Sequence, residues 1–186
     1  MLLFWERGYE GTSVGDLADT LGIGKPSLYA AFGSKEELFY ETLDLYQARY
    51  GAYFAGDLNA YATAREAFTE ILRRNAESQL NPETPSGCFI VLSATVGTPQ
   101  NADVRANLSR RRNASRAVFA ARVARGIADG DVPASADPEA IATFYATVIN
   151  GMSIEARDGA SPADLDRIVT GALSAWDALT GARSAP

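Results

Sequence analysis

Thr12-Ser13-Val14-Gly15-Asp16-Leu17-Ala18-Asp19-Thr20-Leu21-Gly22-Ile23-Gly24-Lys25-Pro26-Ser27-Leu28-Tyr29-Ala30-Ala31-Phe32-Gly33-Ser34-Lys35-Glu36-Glu37 reads as two short helices joined by a glycine turn, followed by a new helix start. Ser13 is a helix-capping residue, and Asp16 stands three positions on, where its carboxylate can return a bond to the cap. Val14, Leu17, Ala18 and Leu21 follow with helical spacing and form one apolar stripe. Gly22 stops the helix. Lys25-Pro26 opens the next one, because proline is tolerated in the first helical turn. Within it Leu28 and Phe32 lie four apart and are expected to face inward, which turns Lys25, Ser27 and Tyr29 outward. Ser34 and Glu37 have the spacing of a further capping box. Two short helices with this turn are the common device for laying a helix in the DNA major groove.

With the flanking run Phe4-Trp5-Glu6-Arg7-Gly8-Tyr9-Glu10-Gly11, and with Lys35-Glu36-Glu37-Leu38 after it, the segment resembles the TetR-type transcriptional regulators. The motif match covers about the first 40 residues; beyond it the chain matches in length and helical organisation. The resemblance implies an all-α fold. Residues 1–48 would form a three-helix helix-turn-helix domain and residues 49–186 a helical ligand-binding and dimerisation domain. It implies DNA contacts from Thr12, Lys25, Pro26, Ser27, Tyr29 and Lys35. Tyr29, Lys35 and Thr12 are donors suited to phosphate oxygens, Lys25 is suited to a guanine edge, and Pro26 to a thymine methyl. The sequence departs from the family pattern at Pro26, usually glycine, and at Ala30 and Ala31, usually aromatic or histidine. These positions bear on the operator sequence. The family's first helix is usually longer and often follows a basic arm, so residues upstream of Met1 are an expectation.

Composition narrows the function classes. The chain has 186 residues, no histidine and one cysteine. An internal disulfide is therefore excluded, a reducing, cytoplasmic setting fits, and the commonest general base and metal ligand is missing. No metal site or cofactor is expected. Met1-Leu2-Leu3-Phe4-Trp5 runs at once into Glu6 and Arg7, which is no secretory signal, and no apolar run reaches membrane length. Net charge is −6, and the first 50 residues hold eight acids against Arg7, Lys25, Lys35 and Arg49. That balance is unusual for a DNA binder and predicts few phosphate contacts, with helix N-termini supplying donors instead.

Helical periodicity continues along the chain. The fourth helix is expected from Lys35 to about Phe54, with Leu38, Thr42, Leu45, Arg49 and Tyr53 on one face. A fifth is expected from Ala62 to Leu80, then a proline-rich loop at 81–87. Cys88 to Val96 carries β-branched residues but has no partner strand, so a buried helix is expected. Further helices are expected from Asn101 or Asp103 to Asp129, over 138–157, and over 162–180 from a Ser161–Asp164 box.

Three groups of side chains are candidates beyond the DNA surface. Cys88, among apolar neighbours, reads as a core residue. The arginines from Arg105 to Arg125 read as a solvated face, because three in succession fan around a helix. Aromatic residues Tyr50, Phe54, Phe68, Phe89, Phe119, Phe144 and Tyr145 are expected to line a mainly apolar cavity for a small, largely uncharged organic effector. The two last helices are apolar and rich in small residues, so Val148, Met152, Ile168, Ala172 and Trp176 are expected at a homodimer interface. Taken together the chain reads as a homodimeric, ligand-responsive repressor of palindromic duplex DNA. The rivals are a helical interaction module without specific DNA binding, and an enzyme using the C-terminal cavity, for which no nucleophile–base pair speaks.

Overall fold

The computed structural model describes residues 1–55 and 57–181, the side chains of 52–55 excepted. Among these the fold is all-α: α1 (Leu2–Arg7), α2 (Val14–Leu21), α3 (Lys25–Phe32), α4 (Lys35–Ala55), α5 (Ala64–Gln79), α6 (Phe89–Leu92), α7 (Ala102–Asp129), α8 (Pro138–Arg157), α9 (Pro162–Ser174) and α10 (Trp176–Thr180).

Local chemistry sets the boundaries. Ser13 caps α2, its Oγ accepting from the Asp16 N–H while its own N–H donates to the Asp16 carboxylate at 2.8 Å. Thr63–Glu66 and Ser161–Asp164 form the same reciprocal box on α5 and α9. Gly22 ends α2 in the left-handed region, at φ 67°, where a side chain would be strained. At Ser34 only half the expected box forms: the Glu37 N–H donates to Ser34 Oγ at 3.0 Å.

Two apolar clusters hold these elements. One lies among α5, α7, α8, α9 and α10, where Phe68, Tyr145 and Trp176 meet with ring centroids 4.7 to 5.8 Å apart. The other joins α1–α4 to α6 and the start of α7 through Phe4, Trp5, Tyr9, Phe39, Tyr46, Phe89 and Val104. It therefore reaches across the expected boundary at residue 48. Polar contacts reinforce the crossing. Trp5 Nε1–H donates to the Gly87 carbonyl at 3.0 Å, the Tyr9 N–H donates to the Ser93 carbonyl at 2.9 Å, and Arg157 donates to the Trp5 carbonyl at 2.9 Å. Glu10 accepts from the Thr98 N–H at 3.0 Å and from the Asn101 amide at 2.7 Å.

Several expectations change. The inward face of α4 is Leu38, Phe39, Thr42, Leu43 and Tyr46, whereas Leu45 points outward. The shift follows the partners: α4 turns its aromatic residues to α1 and α6. The segment from Cys88 forms a single turn of helix, α6, rather than a longer one. The last helix breaks at Ala175 into α9 and α10. Arg122 is no solvated arginine. It is 1% exposed, and donates to the Leu58 carbonyl at 2.9 Å and the Tyr61 carbonyl at 3.3 Å, tying α7 to the α4–α5 connection.

Candidate nucleic-acid interface and ligand cavity

Helix α3 rests on the fully buried Leu28 and turns Lys25, Pro26, Ser27 and Tyr29 to solvent. Its N-cap is Gly24, without a side-chain cap, so the first backbone N–H groups of α3 are open to an incoming acceptor. Phe32 is half-buried. Lys35, at the start of α4, is held with Nζ 4.1 Å from the Tyr9 ring centroid, a cation–π contact. Partial burial lowers its pKa, while Glu10 and Asp16 oppose that shift. Thr12 departs from expectation. It is fully buried and its hydroxyl donates to the Gly8 carbonyl at 2.8 Å, so it braces the α1–α2 turn rather than offering a surface donor.

In the helical core a cavity of about 130 Å³ lies between α4, α5, α6, α7 and α8. Its walls include Tyr46, Asn75, Cys88, Ile90, Val91, Arg112, Ser115, Phe119, Ala146, Ile149 and Asn150. Of the aromatic residues expected to line a cavity, Phe119 does. Phe68 and Tyr145 pack on Trp176 in the core, and Phe89 and Tyr50 pack on Trp5. Phe144 lies against Tyr145, and the side chain of Phe54 lies outside the described residues. The physical reason is that these rings interlock with one another, leaving the void beside α6 where smaller side chains meet. Sequence reasoning set Arg112 among the solvated arginines, whereas it lines the cavity, and did not single out Asn75 as a cavity residue. A polar residue on the mainly apolar inner face of a helix, as Asn75 is on α5, was the available signal.

Cys88 is both buried and on the cavity wall, with the Tyr46 hydroxyl 3.4 Å from its sulfur. Burial pushes its thiol above the ordinary range, against lowering contributions from Tyr46, the α6 backbone and Arg112. Burial likewise lowers the Arg112 pKa, with Cys88 opposing. One Arg112 N–H donates to the Ile90 carbonyl at 3.0 Å.

The expected dimer residues divide. Met152, Ala172 and Trp176 are buried within the protomer, because α8 and α9 first pack on α5 and α7. Val148 and Ile168 are half-buried, and Gly151 and Gly171 open outward, where an added Cβ would meet nothing within 4 Å.

A helix-turn-helix packed against a helical core with a cavity among its helices defines the class of DNA-binding regulators with a built-in sensing region. The family description "Bacterial regulatory proteins, tetR family" matches residues 1–42, and "Tetracyclin repressor-like, C-terminal domain" matches residues 54–172. The chain belongs to the TetR family of transcriptional regulators. It is 34% identical over 180 residues to the HTH-type transcriptional repressor ComR of Escherichia coli (strain K12), covering 96% of this chain and 86% of ComR. The HTH-type transcriptional repressor BdcR of the same strain is 29% identical over 178 residues, covering 96% of this chain and 84% of BdcR. Among solved structures, a cysteine mutant of the TetR family regulator CifR, complexed with 26-bp operator DNA, is 46% identical with a TM-score of 0.91; the match covers 94% of this chain and 92% of that one.

Proposed function

We propose that the protein is a non-catalytic, homodimeric transcriptional repressor that binds palindromic operator DNA and releases it when a small organic molecule fills the cavity beside α6. The observation that carries the reading is the aromatic cluster that joins the two sites. Cys88, Ile90 and Val91 wall the cavity, while the adjoining Phe89 packs on Trp5 and Phe39 of the DNA-binding helices. A ligand that moves α6 must move α1 with it. In a dimer that motion changes the spacing of the two recognition helices, and binding weakens by the difference in ligand affinity for the two states.

Lys25, Ser27, Tyr29 and Lys35 are the DNA contacts of this reading, with Pro26 beside them. Two copies meet through the outer faces of α8 and α9 around Val148, Gly151, Ile168 and Gly171. Glycine in mid-helix destabilises by about 0.5–1 kcal/mol, so two of them on one face fit a close helix approach. The decisive experiment is an unbiased binding selection from random duplexes with the intact chain. An enriched palindrome, with Tyr29→Ala weakening binding by about 1–2 kcal/mol, is the expected result; no enrichment rejects the reading.

A further inference from the structure

Among the described residues, the cavity wall holds one cation and no anion. It carries no carboxylate, and Arg112 makes no ion pair among the described residues, while its neighbour Arg111 is held by Asp44 at 2.7 Å. Of the five N–H groups of the Arg112 guanidinium, one is bonded, to the Ile90 carbonyl. The remaining polar wall is made of neutral donors. Asn75, 1% exposed, uses one amide hydrogen on the Ile71 carbonyl and accepts from Gln79, and Ser115 and Asn150 add further groups. The rest of the lining includes Phe119, Ile90, Val91, Ala146 and Ile149, an apolar surface. A half-buried charge in an apolar wall without a counter-ion is unfavourable until an anion arrives.

Resting on the ligand-responsive reading above, we infer that the effector is a small monocarboxylate, its carboxylate on Arg112 and its apolar body against Phe119, Ala146 and Ile149. The space sets its size. A dry cavity of roughly 150 Å³ accepts benzene, so about 130 Å³ suits a single ring or a short chain. The guanidinium keeps four N–H groups free beside its bond to the Ile90 carbonyl, so the carboxylate would share one cation with the α6 backbone. This replaces the uncharged effector expected from the sequence.

The test uses calorimetry of the intact chain, without DNA, against benzoate, cyclohexanecarboxylate and hexanoate, each beside its amide. At least one acid should bind tenfold or more tighter than its amide. In Arg112→Gln that ratio should fall to near one, the amide affinity staying as it was. Equal binding of acid and amide by the unaltered protein overturns the inference, as does binding of none of the six, or a ratio that survives in Arg112→Gln. The comparison on the unaltered chain does not depend on the variant's fold. Operator release, followed by fluorescence anisotropy, separates the two readings. An acid that binds without releasing DNA leaves the site assignment standing and rejects the ligand-responsive reading. DNA binding that is intact while no acid binds rejects the site assignment alone.

Discussion

Gly87 stands just before α6 with φ 78°, and a Cβ there would meet the Ser153 carbonyl oxygen and Leu92 Cδ1 at 2.5 Å. The backbone oxygen is the decisive obstacle, because it belongs to α8 and cannot swing away, whereas the Leu92 side chain can turn aside. Gly87→Ala should therefore destabilise by about 2–4 kcal/mol, in the range of other strained core substitutions, and a urea melt would read it. A loss under about 1 kcal/mol would mean that α6 is looser than its contacts suggest. Tyr145 tests the core differently. Its hydroxyl donates to the Ala172 carbonyl at 3.0 Å, and burial pushes its pKa up to about 12. The fold favours the protonated form, so this stabilisation is complete below the ordinary value of 10.0 and is lost as pH rises through about 12. Tyr145→Phe should cost about 1 kcal/mol at neutral pH and flatten the alkaline limb of a stability–pH curve. Tyr9, Tyr40 and Tyr46 are also raised, so a share of that limb will remain.

At the scale of elements, α8 and α9 each have a core-facing side and an outward side, and the two sides make opposite predictions. Trp176, at the start of α10, is 4% exposed against Phe68 and Tyr145, so Trp176→Glu should unfold the core rather than separate a pair of folded protomers. Gly151→Glu with Gly171→Glu adds charge only on the outward face, and should yield a folded monomer by sedimentation while leaving the far-ultraviolet helical signal intact. A dimer that survives both changes places the interface elsewhere. The same helices show what could be read from sequence. The caps at Ser13 and Ser161 and the Leu17–Ala18 part of the α2 stripe are local signals, and local rules place them; Leu21 of that stripe is exposed, and the Thr63 cap was not read from the sequence. Which residues of α8 and α9 the protomer's own core takes up depends on α5 and α7, far away in sequence, and periodicity alone does not encode it. The cavity was illegible for the same reason: it is a gap between five helices, and Arg112 meets it beside the Ile90 carbonyl, a contact between segments 22 residues apart.

At the scale of the whole molecule, the Glu10 clasp and the Trp5 cluster join the DNA-binding helices to the core. Hydrogen bonds from Asn101 and Thr98 hold the Glu10 carboxyl below its ordinary value of 4.5. Its contribution is present above that pH and fades as pH falls through the depressed value. Glu10→Gln should weaken the junction at neutral pH and remove its share of the acid dependence, measurable by comparing melts at about pH 7 and about pH 4. Heating should give one transition whether followed at Trp5 or at Trp176, with single-tryptophan variants Trp176→Phe and Trp5→Phe as reporters. Two separated midpoints would show that the halves unfold independently.

The crossing of the aromatic cluster at residue 48 also decides how this regulator can be rebuilt. A chimera spliced there, pairing these sensing helices with another protein's reading head, would set Phe89 and Val91 against foreign rings in place of Phe4, Trp5, Phe39 and Tyr46. Such a hybrid would inherit a mismatched joint at the place where the signal has to pass. Operator specificity is better transplanted by exchanging only the outward residues of α3, Lys25, Pro26, Ser27 and Tyr29, and leaving Leu28 and everything beneath it in place.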